Sequence, residues 1–144
     1  MNKTKIQEYL NQMIHLLNGS PQQKYYQFLL KEGKSFNTRK NINLSGISAK
    51  PKNCFNNSIL INYSLDYDYY EGFYLFNDIS VPFEHAFNLD KSNNLVDVTA
   101  QKNNFNVDEW FGVKLDKKYI DEFLNSKYNG VTTPLNFYYT KYIK

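Results

Sequence analysis

One cysteine, one arginine and two histidines occur among the 144 residues of this chain. A lone cysteine excludes an internal disulfide and any Cys-rich zinc site, and it suits a reducing compartment. Arg39 is the only arginine, so the formal net charge of +3 is carried almost wholly by lysine. Arginine dominates bidentate phosphate and base-edge recognition. Its scarcity, with acidic residues interleaved along the chain, argues against a dedicated nucleic-acid binder. No apolar run approaches the length of a membrane span. The N-terminal stretch "MNKTKIQEYLNQMIHLLNG" lacks the continuous apolar segment of a signal peptide. The chain therefore reads as soluble and cytoplasmic, with no membrane partner. HxxxH and CxxC spacings are absent, so no metal site is expected, and no cofactor. Repeats, low-complexity tracts and linkers are missing too. The length fits one domain, residues 1–144.

Aromatic residues are abundant, with 13 Tyr and 11 Phe, so the core and its rim are expected to be built largely from them. Ile6, Leu10, Met13, Ile14 and Leu17 recur at helical spacing before "NGSP". Ser20 and Pro21 then start a second helical pattern carrying Tyr25, Phe28 and Leu29, which Gly33 stops. Residues 1–32 thus predict a helical hairpin. Residues 33–52 read as a long polar loop with room for one short strand. In "NCFNNSILINYSLD", Phe55, Ile59 and Tyr63 recur every four residues, which predicts a helix starting at or just before Cys54.

From Tyr69 the period changes. "YYEGFYLF", "VPFEHAFNL" and "NNLVDVT" are three candidate strands, the last two joined by a "DKSNN" hairpin turn. "LDKKYIDEFLNSKYNG" returns to a helical pattern, with Asp116 as its N-cap. "TPLNFYYTKYI" reads as a final edge strand. Helices, then a Cys-bearing helix, then a small antiparallel sheet make an α+β domain.

A cysteine acts as a nucleophile through its thiolate, which a helix N-terminus and a neighbouring imidazolium both favour. The helix start puts Cys54 in the first of these environments. A histidine must reach the sulfur, and a third group must orient the histidine. Midpoint arithmetic on the "DKSNN" hairpin places His85 and Asp97 opposite one another, at a spacing where facing side chains touch. Strand alternation sends Glu84 to the other face. His15 lies on the first helix and has no assigned role.

"NCFNNS", "YYEGFYLF", "PFEHAFNLD", "NNLVDVTA" and "WFGVKLDKKYIDEFL", in that order, resemble the small transglutaminase-like and papain-like cysteine proteins. The resemblance spans about residues 53–124. It implies a papain-like core in which Cys54 attacks the carbonyl of an amide, thioester or ester, within a peptide or protein substrate. His85 would carry the proton and Asp97 would hold the imidazolium. The Cys54 backbone N–H would stabilise the oxyanion. For a second donor, Asn53, Asn56 and Asn57 are the candidates, because Ser48 stands where papain-like enzymes have glutamine. Phe87 stands where many relatives carry tryptophan, and Val98 where they carry proline.

The glutamate of "YYEGF", Glu71, is expected to point inward or line a cleft, with Gly72 permitting close backbone approach. Trp110, Phe111 and Tyr67, Tyr69 and Tyr70 are candidates for a substrate groove or for rim packing. The expected function is a cysteine-dependent hydrolase or acyltransferase. The alternative is a non-catalytic binding module on the same fold, such as a phage or mobile-element factor acting on a host partner. Oligomeric state is not encoded in any feature of the sequence.

Overall fold

A computed structural model describes residues 3–50 and 53–144. The first helix, α1 (Lys5–Leu16), begins at Thr4. The Thr4 side chain accepts from the Gln7 N–H while Gln7 bonds back to the Thr4 backbone, so two end donors are satisfied reciprocally. Helix α2 (Pro21–Glu32) starts with proline and ends at Gly33, whose N–H reaches the Leu29 carbonyl. The two helices pack together as a hairpin.

There follow β1 (Lys34–Phe36), a segment over 37–50 without helix or strand, α3 (Cys54–Leu65), β2 (Asp68–Phe76) and β3 (Phe83–Leu89). The chain continues through β4 (Leu95–Val96), α4 (Val98–Asn103), β5 (Val107–Leu115), α5 (Lys117–Leu124) and α6 (Pro134–Tyr138). A π-helical turn over Tyr139–Ile143 ends it. The five strands form one antiparallel sheet in the order β1-β5-β2-β3-β4. The domain is of the α+β class.

The two faces of the sheet do different work. Tyr69, Phe73, Ala86, Phe111 and Val113 face one way and pack against Ile6, Leu10, Leu29, Ile59, Ile120 and Leu135 of the helices. Tyr70, Phe87 and Trp110 face the other way and cluster with Leu89 and Leu95. Beside the sheet, Ala49, Ile61, Val96 and Val98 join the 37–50 segment to α3 and α4. That segment is also bound by hydrogen bonds. Gln101 exchanges two with the Ile42 backbone, at 3.0 and 2.7 Å.

Two expectations are corrected, and one strand without a signal of its own is added. "VDEWFGVKL" is a central strand, β5, lying between β1 and β2. It is buried on both faces from Glu109 to Val113, so it has none of the alternation that marks a half-exposed strand. "NNLVDVT" supplies only two strand residues and then turns into α4 at Asp97. The C-terminal tail is helical, not an edge strand. Its start carries a local cue: Thr133 accepts from the Asn136 N–H, and Pro134 occupies the first helical position.

Candidate active site

Cys54 is the first residue of α3. The preceding Asn53 is the N-cap, yet its side chain makes no capping bond. Among the described residues no side chain caps the leading N–H groups of the helix, and their partial positive charge favours an anion at the sulfur. Cys54 is half-buried and free. Helix α3 is fixed to its neighbours by amides. Asn88 Nδ2 of β3 donates to the Ser58 carbonyl at 3.0 Å. Asn57 Nδ2 donates to Thr99 Oγ1 of α4 and to the Lys50 carbonyl, both at 2.8 Å, and its Oδ1 accepts from the Lys50 N–H.

His85 lies in β3 with no exposed surface. Its strand neighbour in β2 is Gly72. The Tyr74 ring lies flat on the imidazole, 3.7 Å between centroids and 4° from parallel. The outer side of β3 is covered by β4 only at Asn88 and Leu89, which leaves the His85 stretch without a strand on that side among the described residues.

Asp97 is the N-cap of α4. Its Oδ1 accepts the Ala100 N–H at 3.0 Å. Its Oδ2 accepts Trp110 Nε1 at 2.8 Å and pairs with His85 Nε2 at 2.6 Å. With Nε2 committed to Asp97, Nδ1 is the nitrogen left to exchange a proton. His85 Nδ1 is buried and makes no hydrogen bond among the described residues. Cys54 is the second polar group that bears on the ring.

Burial by itself would lower the proton affinity of His85. The Asp97 charge and hydrogen bond, with Cys54 beside them, reverse the sign and raise its pKa to about 9. Burial would raise Asp97. The His85 charge, with the His85, Ala100 and Trp110 hydrogen bonds, holds it below the usual carboxylate value instead. The arrangement stabilises the imidazolium form of His85, chiefly through the Asp97 carboxylate. Tyr74 is raised to about 12, chiefly by burial, so it remains a neutral stacking partner at ordinary pH.

The remaining candidates fall differently. Asn57 has both amide hydrogens engaged by Thr99 and Lys50, so it is a strut of α3 and not an oxyanion donor. Trp110 is buried and spends its N–H on Asp97, so it orients the acid and lines no groove. Tyr69, Tyr70 and Phe111 are buried as well. Asn53 stands next to Cys54 with its side chain uncommitted to the helix. Asn56 is exposed. Glu71 turns inward and is buried, accepting from the Tyr69 hydroxyl at 2.8 Å and the Leu135 N–H at 3.0 Å.

A cavity of about 110 Å³ lies on the face of the sheet opposite the imidazole. Phe55, Glu71, Gly72 and Glu84 line it, together with Tyr25, Thr132, Thr133 and Asn136 from distant parts of the chain. Glu84 thus faces away from the imidazole and into this cavity. The contributions of α2 and of the 132–136 segment have no local signature, since they reach the cavity only through tertiary packing. No family model, curated protein or solved structure matches the chain. Among the described residues no helix is long and apolar enough to cross a membrane.

Proposed function

We propose that the chain is a cysteine-dependent acyl-transfer enzyme, a hydrolase or transferase of the transglutaminase-like or papain-like type, acting on an amide-type bond. The observation that carries this reading is the buried imidazole of His85, with Nε2 committed to Asp97 at 2.6 Å and its proton affinity raised by Asp97 and, to a smaller extent, by Cys54.

The steps follow from that geometry. His85 Nδ1 takes the thiol proton, and Cys54 Sγ bonds to the carbonyl carbon. The negative oxygen that develops is met by the leading N–H groups at the start of α3, with the Cys54 N–H as the first donor. Collapse of the tetrahedral adduct breaks the carbon–nitrogen bond, and the departing amine takes the proton from His85. A thioester remains on Cys54. Water or an amine then attacks it, gives a proton to His85, and releases the acyl group while the thiol re-forms. Asp97 keeps its proton-free form throughout and stabilises the imidazolium.

The test is alkylation of Cys54 by iodoacetamide near about pH 6. The proposal expects rapid reaction in the native chain and a loss of at least about tenfold in His85→Gln. Equally slow, ordinary-thiol behaviour in both proteins sinks the enzymatic reading and leaves a binding module on the same fold.

A further inference from the structure

We infer that Tyr74 is a positioning residue of the site: its ring holds the His85 imidazole in the plane that serves Asp97 and favours the charged form of that imidazole. The consequence for catalysis rests on the acyl-transfer reading; the action of Tyr74 on His85 does not.

The two rings touch over their faces, with centroids 3.7 Å apart and planes 4° from parallel. Strand register explains the approach. Tyr74 is opposite Phe83, and Phe87 is opposite Tyr70. Tyr74 and Phe87 therefore reach His85 from opposite ends of its strand. Phe87 is the looser neighbour, at 6.5 Å and 24°. Tyr74 is itself braced by Phe76 at 4.8 Å, and Phe76 by Phe105 at 5.2 Å. An aromatic row thus runs from Phe105 to the imidazole.

The torsion that turns an imidazole on its Cβ has broad minima. Asp97 directs one atom of the ring, through the 2.6 Å bond to Nε2. A flat neighbour restrains the whole plane. At 3.7 Å the rings are already in van der Waals contact, so turning the imidazole would drive its edge into the Tyr74 face. The direction of Nδ1, the nitrogen that exchanges a proton, is set by the same plane.

The charge follows from the same contact. The face of a tyrosine ring carries negative potential and attracts a cation within about 6 Å of its centroid. A neutral imidazole gains less. Tyr74 therefore adds to Asp97 in favouring the imidazolium. Burial keeps the Tyr74 phenol protonated at ordinary pH, so no full charge enters the stack. The other titratable groups that bear on the ring are Asp97 at the start of α4 and Cys54 at the start of α3. Strand β4 carries only Leu95 and Val96, and Trp110 of β5 does not titrate. Glu71 and Glu84 lie on the other face of the sheet. In acyl transfer the imidazolium accompanies both the thiolate and the tetrahedral adduct, so the stack would stabilise both.

The experiment follows the His85 imidazole by NMR titration in a His15→Gln background, which leaves one histidine in the chain. Tyr74→Phe keeps the ring and Tyr74→Leu removes it. Pentafluorophenylalanine at position 74 keeps the shape and reverses the potential of the face. The proton affinity of His85 should stay within about twofold in Tyr74→Phe and fall at least about threefold with the other two. The fluorinated ring preserves the packing, so the test stands if Tyr74→Leu does not fold. An unchanged affinity without the electron-rich face, or an equal fall in Tyr74→Phe, overturns the inference. Alkylation of Cys54 by iodoacetamide near about pH 6 should slow at least about threefold in Tyr74→Leu and keep its native rate in Tyr74→Phe. A native rate in Tyr74→Leu overturns the consequence for catalysis. A lowered His85 affinity beside a Cys54 that behaves as an ordinary thiol in every protein would defeat the acyl-transfer reading and leave the hold of Tyr74 on His85 standing.

Discussion

His85 and Asp97 are bonded at 2.6 Å although they are not facing residues of their hairpin. The strands pair Asn88 with Val96 and Leu89 with Leu95. Continuing that register would set Asp97 opposite Phe87, two residues from His85 on the same face. Asp97 closes the gap because it has already left the strand, as the N-cap of α4. One carboxylate therefore serves three donors, capping a helix, orienting a histidine and satisfying a buried indole N–H.

That triple role predicts a pH-dependent loss in Asp97→Asn. His85 has a folded pKa raised to about 9, so its stabilisation is complete below its unfolded value and is lost as pH rises through about 9. Asp97 is depressed, so its share is present above the ordinary carboxylate value and is lost as pH falls through its folded one. Between about pH 8 and pH 9.5 the native protein should lose about 1–2 kcal/mol of this stabilisation, whereas Asp97→Asn should lose little. The variant should also start about 3 kcal/mol less stable, because a buried pair has lost its charge partner. Urea unfolding at the two pH values is the measurement, and parallel losses in both proteins would refute the linkage.

Glu71→Gln should behave in the opposite sense. The Glu71 carboxyl is raised to about 7, chiefly by burial. Its folded pKa lies above its unfolded one, so its contribution is complete at acid pH and declines as pH rises through about 7. Glutamine keeps an acceptor for Tyr69 and Leu135 and carries no charge. The variant should match the native protein near about pH 5 and exceed it in stability by about 2–3 kcal/mol near about pH 8. Thermal unfolding at both values checks this, and a variant less stable at the higher pH contradicts it.

Gly72→Ala should destabilise the sheet by at least about 3 kcal/mol. A Cβ there would stand 2.1 Å from the Phe111 carbonyl oxygen and 2.7 Å from Gly112 Cα. Both obstacles are backbone of β5 and cannot rotate aside. Gly112 is the strand partner of Gly72, and Phe87 lies over it. Near-native denaturant midpoints for Gly72→Ala would show that the close approach of β2 and β5 is not required.

The sequence by itself determined the elements whose signals are local. The helical hairpin followed from apolar spacing and from Ser20-Pro21 and Gly33 at the helix ends. Cys54 at a helix start and His85 on a strand with Glu84 facing away were likewise readable, since both depend on periods of 3.6 and 2. Asp97 was legible as the partner of His85 but not as a helix cap, because α4 opens with two β-branched residues that favour strands. Strand β5 was hidden because burial on both faces removes alternation. Only the tertiary structure decided what Asn57, Trp110 and Glu71 do. Their partners lie at Thr99, Asp97 and Leu135, tens of residues away in two of the three cases. Such bonds are set by sheet register and helix docking, and a single run of residues carries no information about either.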